Sequence, residues 1–289
     1  MNESVTLLNT VKSKQDATVK YVVSYADKTR AELSYINKND GKIIICAPTE
    51  TSCRMGCSFC YLTTVGDKLK YRSLNAYEMT DGVLLAIKES PPINSKLLVS
   101  FMGSGEPLMN WQNMLASMRQ IKSKVSVPAR FAFATSLPKN SVDAFLQMTR
   151  HVADDLDIKA HLSLHFTNDE ARKKYMPASL DIATSINLLE LYKNLTKRRV
   201  EAHYTLIDGV NDSPQDALTL RTLLAHRDIP LKLLYYSENP VLGAHRSTNV
   251  DKFMKLVKAH SLEVEFYEPP GQDIGSSCGQ FFIEEQEKK

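Results

Sequence analysis

Cysteine is scarce in this chain, with five residues in 289. So few cannot staple a chain of this length as a disulfide scaffold. In a reducing compartment, clustered cysteines more often bind metal or do redox chemistry. Long apolar runs are also missing, and nothing approaches the roughly 20 apolar residues of a membrane span. The opening stretch MNESVTLLNTVKSKQD is too polar for a secretory signal. A cytoplasmic location and no membrane partner are therefore expected. Charge of one sign is not in large excess: the formal net charge is +3. That permits an acidic partner without demanding one, whereas a dedicated nucleic-acid binder often shows a far stronger imbalance. Internal repeats, low-complexity tracts and Gly/Ser linkers are absent, so neither a repeat array nor a string of tethered domains is expected.

What remains is ordinary globular composition, 43% hydrophobic and 24% charged, ample for a sizeable core. Apolar β-rich runs recur: IIICA (43–47), LLVSFM (97–102), RFAFAT (130–135), HLSLHF (161–166), VEAHYTLI (200–207), LKLLYY (231–236) and VEFYE (264–268). Several are nearly continuous in apolar character, as strands buried on both faces are. Between them lie helical patterns with start signals. Asn75 precedes Glu78 by three, a capping-box spacing. Ser213 stands before Pro214 at a first helical position. SLDIATSINLLELYKNLTKRR carries its basic residues in the last turns. Strands alternating with helices predict parallel βαβ units and an open or closed α/β barrel over 43–289. Residues 1–42 stand outside that rhythm as an N-terminal extension, with a β-hairpin expected over TVKYVVSYADKTRAELSYIN.

In parallel α/β folds the chemistry sits at the C-terminal ends of strands. Three unusual loops follow predicted strands directly: the cysteine loop after III, GSGEP after LLVSFM, and ENP after LKLLYYS. Four of the five cysteines lie in CAPTETSCRMGCSFCY, from Cys46 to Cys60. Cys53, Cys57 and Cys60 have the spacing C-x3-C-x2-C. Three thiolates on so short a loop can hold three irons of a [4Fe–4S] cluster and leave one iron open for a ligand. The same three can belong to a zinc site, with Cys46 or a histidine as the fourth ligand. Both readings stand on spacing alone.

A C-x3-C-x2-C loop after the first strand of an α/β barrel resembles the radical S-adenosylmethionine (SAM) superfamily. Cys46, seven positions before Cys53, and Cys278 in DIGSSCGQF resemble one branch of it, the RlmN/Cfr family of RNA methyltransferases. Further stretches follow in the same order: MGSGEPLMN, SLHFTNDEARKKYMP, LIDGVNDSPQDA and SENPVLGAHRSTN. The likeness covers roughly residues 30–282. It implies a partial (β/α)6 barrel of the TIM type, one [4Fe–4S] cluster on Cys53, Cys57 and Cys60, and two SAM molecules per turnover. It also implies an electron donor such as a flavodoxin-type protein, and ribosomal or transfer RNA as substrate.

The resemblance further implies a division of labour. Cys278 carries a methyl group as S-methylcysteine to carbon 2 or 8 of an adenine. Cys46 closes a disulfide with it to release the product. Glu32, aligned with one inserted residue before Cys46, accepts the proton from the carbon under attack. Gly105 and Glu106 match the family's GEP motif, the carboxylate accepting from the SAM ammonium. Ser163, Leu164 and His165 match its SLH stretch, and Asn239 an asparagine of the SAM pocket. A lone histidine on an apolar strand is otherwise most often a hydrogen-bonded core residue. Two departures stand out. The family usually has a sizeable N-terminal helical domain, whereas only 45 residues precede Cys46 here. Ala134 stands where the family has a serine near SAM. Two other readings fit the residues: the same radical chemistry on a nucleotide or other small molecule, and a non-enzymatic zinc-binding RNA module.

Overall fold

A computed structural model describes residues 4–38, 42–65, 68–93, 96–152, 156–238, 243–258 and 262–275. Among the described residues, ten strands form one sheet whose spatial order is their chain order. The first three are β1 (Val5–Lys12), β2 (Val19–Tyr25) and β3 (Arg30–Asn37), an antiparallel meander. β3 pairs antiparallel with β4 (Ile43–Cys46). From β4 onward every neighbour is parallel: β5 (Leu97–Phe101), β6 (Ala129–Thr135), β7 (Ile158–Ser163), β8 (Val200–Leu206), β9 (Leu231–Tyr235) and β10 (Val264–Tyr267). The order runs from β1 to β10 without β10 returning to β1, so the barrel is not closed. The expected hairpin is present as β2 and β3, and it continues the barrel sheet.

Helices cross over between the parallel strands. α1 (Tyr61–Val65) and α2 (Ala76–Lys88) lead from β4 to β5, α3 (Trp111–Lys124) from β5 to β6, and α4 (Val142–His151) from β6 to β7. α5 (Asp169–Tyr175) and α6 (Ile182–Thr196) lead to β8, α7 (Pro214–Leu224) to β9 and α8 (Val250–Val257) to β10. The start signals read from the sequence act as expected. Asn75 and Glu78 form a reciprocal capping box on α2, worth about 1 kcal/mol. Ser213 and Asp216 do the same on α7, with Pro214 at its first position. Among the described residues, no helix is long and apolar enough to cross a membrane.

Period-2 alternation gives the parallel strands two different faces. Phe131, Phe133, Ala160, Leu162, Ala202, Tyr204, Leu231 and Leu233 are buried in the main hydrophobic core. Their alternates Ala132, Ala134, Lys159, His161, His203, Thr205, Lys232 and Leu234 line a cavity of ≈ 480 Å³ inside the barrel. One strand is shifted from its expected place. β7 ends at Ser163, because the Leu164 N–H turns back to the Leu162 carbonyl (2.9 Å) and the Phe166 N–H to that of Leu164 (2.7 Å). His165 takes φ = 54° there, so SLH is the exit of a strand and not its interior.

The N-terminal meander holds the far end of the chain. Asp273 accepts from Ser13 Oγ and from the Lys14 N–H, both at 2.7 Å. Asp16 accepts from the Gly271 N–H at 2.7 Å. Gly271 has φ = +69°, and a Cβ on it would stand 2.9 Å from Thr18 Cγ2. The turn between β1 and β2 thus fits round 271–273 only because position 271 has no side chain. Lys20 Nζ then donates to the Gly275 carbonyl at 2.7 Å. Replacing Asp16→Ala removes one of these charge-assisted bonds and should cost about 1.5–3 kcal/mol. Limited proteolysis should then release C-terminal peptides faster than from the unaltered chain; equal rates would discount the clamp.

Candidate active site

The segment between β4 and the cysteine loop is locked to the GSGEP loop after β5. The Ala47 N–H donates to the Ser100 carbonyl at 2.8 Å, and the Gly103 N–H to the Ala47 carbonyl at 3.1 Å. Thr49 and Glu50 both donate their N–H groups to the Ser104 carbonyl, and Ser104 Oγ returns a bond to the Glu50 carbonyl. A Cβ on Gly103 would lie 2.9 Å from the Ala47 carbonyl carbon. One on Gly105, whose φ is +106°, would meet Thr49 Oγ1 at 2.6 Å and Glu50 Cβ at 2.8 Å. Both glycines are therefore required by close approach of two backbones, and Gly105 also by its conformation.

Two carboxylates stiffen this junction. Glu50 accepts from the Glu106 N–H at 2.9 Å and from Tyr71 Oη at 2.7 Å. Glu106, 4% exposed, accepts from Ser136 N–H (2.9 Å), Ser136 Oγ (2.8 Å) and the Leu108 N–H (3.2 Å). Burial pushes the Glu106 pKa up against these bonds. The hydroxyls beside Ala134 meet this carboxylate instead: Ser136 Oγ donates to it, and Thr135 lowers its pKa as well.

Arg172 joins the next two strand ends. Its guanidinium donates to the carbonyls of Ser136 (2.9 Å), Ser163 (3.0 Å), Leu164 (2.5 Å) and Leu180 (2.8 Å). It is 2% exposed. His165 Nδ1 accepts from the Thr205 N–H at 3.1 Å, and burial pulls its pKa down to about 3. Leu164 is in the core and Ser163 half-buried. Lys173 and Lys174 lie exposed on α5. Sequence reasoning singled out Gly105, Glu106, Ser163, Leu164 and His165, and missed Glu50 and Arg172. Their only signals were their places inside the motif stretches.

The cysteine loop rests on this platform. The Ser58 N–H donates to the Tyr175 carbonyl at 2.9 Å and Tyr236 Oη to the Phe59 carbonyl at 3.1 Å. The Phe59 ring stands edge-on to His165 with centroids 5.4 Å apart. Gly56 turns the loop with φ = +66°. Cys46, Cys53, Cys57 and Cys60 are half-buried and free of disulfides. Burial pushes the Cys57 thiol up to about 12, and Cys60 and Glu106 add to that. The same three influences raise Cys53, and burial raises Cys60. Burial of these thiols, with Glu106 near two of them, disfavours their anionic forms, which a bound cation would stabilise.

A tetrahedral zinc with bonds of about 2.3 Å needs its sulfurs ~3.8 Å apart. Among the described residues, the one trio of His, Cys, Asp or Glu ligand atoms gathered within 4.8 Å is His161, Glu201 and His203, and it includes no cysteine. The sulfurs of Cys53, Cys57 and Cys60 do not all lie within 4.8 Å of one another. Three free thiols on one short loop are a donor set that fits a [4Fe–4S] cluster with one iron left open.

Cys46 ends β4 and points into the barrel cavity, which also touches Phe59, Cys60 and His165. Glu32 and Cys46 share a sheet face, because Ser34 is the register partner of Cys46 and Glu32 lies two residues from it. Glu32 pairs with Lys20 at 2.5 Å, both buried. Burial pushes the Cys46 thiol up to about 11; Lys20 lowers it and Glu32 raises it. Asn239 and Cys278 lie outside the described residues. A Gly105→Ala change forces a 2.6 Å contact at a positive φ, which should cost about 2–4 kcal/mol. Urea melts should show that loss, and iron retained after reconstitution should fall with it. Unaltered stability would mean that the two loops can part freely.

No protein-family profile matches the chain. Individual relatives do. A probable dual-specificity RNA methyltransferase RlmN of Symbiobacterium thermophilum is 30% identical over 95% of this chain and 74% of its own length. The corresponding protein of Clostridium acetobutylicum is 31% identical over 96% of this chain and 80% of its own. A crystal structure of a radical SAM methyltransferase from Sphaerobacter thermophilus superposes with a TM-score of 0.84 at 26% identity, covering 96% of this chain and 81% of that one. SuiB of Streptococcus suis, solved with bound S-adenosylmethionine, shares the fold at 13% identity and a TM-score of 0.56, over 79% of this chain and 52% of that one. Identity of this order, held over nearly the whole chain on an open α/β barrel, places the protein in the RlmN family of dual-specificity RNA methyltransferases.

Proposed function

We propose that this chain methylates RNA, ribosomal or transfer, at carbon 2 or 8 of an adenine, by radical SAM chemistry with an S-methylcysteine carrier. Membership of the RlmN family supports the reaction class. Cys53, Cys57 and Cys60 would hold a [4Fe–4S] cluster. When bound, the cluster and SAM supply a carbon radical able to take a hydrogen atom from a methyl group. Two SAM molecules are consumed per methyl transferred, and a flavodoxin-type protein is the proposed electron donor.

The chain's own groups take the remaining tasks. Gly105 lets the backbone approach the SAM ammonium closely, and Glu106 accepts from it. Thr49 Oγ1, buried and without a hydrogen-bond partner, adjoins Gly105 and supplies a further acceptor there. Ser163, Leu164, His165 and Asn239 complete that pocket. Glu32 takes the proton from the adenine carbon. The Cys46 thiolate attacks the sulfur of Cys278; the C–S bond breaks, the carbon keeps the electron pair and gains a proton, and a disulfide forms.

One observation carries this assignment: Lys20 ties Glu32 to the Gly275 carbonyl, beside Cys46. The described chain thus arrives next to the proposed base and the proposed resolving thiol three residues before Cys278. Three residues reach at most about 11 Å, which supports assigning Cys278 to act beside these two groups.

Cys278→Ala should abolish transfer of label from methyl-SAM to RNA while the cluster absorbance is unchanged. Cys46→Ala should instead trap a covalent protein–RNA adduct, visible as a retarded band. Full turnover by Cys278→Ala would overturn the carrier assignment. Label appearing in free nucleotides and never in RNA would overturn the substrate.

A further inference from the structure

The barrel interior holds a cluster of ionisable groups that methyl transfer does not use. His161 on β7 is the register partner of Glu201 on β8, and His203 follows Glu201 by two residues. Pairing and period 2 therefore bring all three to one face of the sheet. All are buried, and His161 and His203 line the cavity.

Three ligand atoms close a triangle. His161 Nδ1 and His203 Nε2 are 2.7 Å apart, His161 Nδ1 and Glu201 Oε2 3.0 Å, and His203 Nε2 and Glu201 Oε2 3.3 Å. Hydrogen bonds cannot satisfy all three edges with neutral imidazoles. If both nitrogens donate to the carboxylate, two N–H groups face each other across the shortest edge. If one nitrogen donates to the other, a lone pair faces the carboxylate oxygen. A cation bound between them attracts all three ligand atoms at once, with each lone pair facing it. With bonds of about 2.1 Å, ligands at right angles stand ~3.0 Å apart and tetrahedral ones ~3.4 Å. The observed sides scatter about the first of these values.

Two lysines also reach Glu201. Lys159 Nζ is 2.9 Å from Oε1, the oxygen outside the triangle. It can remain there and hold the carboxylate in orientation, as outer-shell partners of metal ligands do. Lys232 Nζ is 3.4 Å from Oε2 and equally 3.4 Å from Glu265 Oε2 on β10. It has a second carboxylate to turn to when Oε2 is taken by an ion.

We propose that His161, Glu201 and His203 bind one divalent transition-metal ion of borderline softness, Zn²⁺ or Fe²⁺, apart from the cysteine loop. Two imidazoles and a carboxylate select such an ion over Mg²⁺ or Ca²⁺. Three protein ligands leave positions for water or for an oxygen or nitrogen donor of a substrate. The cavity beside the triad is the one that touches Cys46 and Cys60. The site goes beyond RNA methylation and stands or falls separately from it.

The test uses the full chain, reconstituted anaerobically with iron and sulfide, equilibrated with Zn²⁺ and freed of loosely bound ions by gel filtration. Elemental analysis should find one zinc per chain in addition to the iron. Glu201→Gln and His203→Gln, close in shape to the originals, should each weaken zinc binding by more than the ~10–100-fold typical of outer-shell changes. Their iron content and cluster absorbance should stay unchanged, showing that they fold. A Cys53→Ala, Cys57→Ala, Cys60→Ala variant should keep the zinc, and its Co²⁺ form should lack thiolate charge-transfer bands. That arm needs no cluster, so its outcome is independent of the methyltransferase reading. Absence of zinc from the unaltered chain, indifference to Glu201→Gln and His203→Gln, or loss of zinc with the three cysteines would each overturn the site.

Discussion

The close approach of two loop backbones, 47–50 and 103–106, is the constraint on which the rest of the site depends. It exists because Gly103 and Gly105 present no Cβ to Ala47, Thr49 and Glu50. Once the loops touch, hydrogen bonds between Ser104 and Thr49 or Glu50, and between Glu106 and Glu50, fix their register. The cysteine loop then leaves from a rigid base at the end of β4. Glu106 is delivered at the same point, buried and held by Ser136. The base of the cysteine loop and the GEP carboxylate are thus one rigid assembly, built at the C-terminal ends of adjacent parallel strands.

Arg172 extends that assembly across β6 and β7. A guanidinium with four carbonyl partners replaces the ladder bonds that strand ends give up as they splay. Its loss would leave buried acceptors unpaired, at about 1–3 kcal/mol each. Lysine, a point charge without the planar fork, cannot serve the same set of carbonyls. The buried Lys20–Glu32 pair is different in kind. Such pairs add little net stability, since desolvation offsets their attraction. Its consequence is positional: it joins the meander, the C-terminal segment and the neighbourhood of Cys46.

The barrel interior is more polar than its apolar walls require. Lys159, His161, Glu201, His203 and Lys232 occupy inward positions on three successive strands, while their alternates pack against helices. Burial raises the Glu201 pKa, yet the contacts with His161, His203 and Lys159 outweigh it and hold it well below the usual carboxylate range. Burial lowers both imidazole pKa values. A core that wanted only stability would have filled these positions with Val, Ile or Leu.

Much of this protein was legible in the chain alone. Seven apolar runs separated by capped amphipathic segments specify parallel βαβ units, because periodicity and caps are local properties. Six of the seven are strands nearly as expected, HLSLHF supplies only the last residues of β7, and the helices with caps at Asn75 and Ser213 begin as expected. The C-x3-C-x2-C spacing and the GEP stretch are local as well, so the family resemblance was readable in them. Tertiary structure decided what depends on residues far apart in the chain. Only the sheet register sets His161 against Glu201, some 40 positions later, and no local pattern marks that meeting. Only packing brings Gly275 to Lys20, and only the strand ends make Arg172 a hub and not a surface charge. A side chain's neighbours along the chain fix its conformation, but its chemistry is set by whatever the fold brings against it.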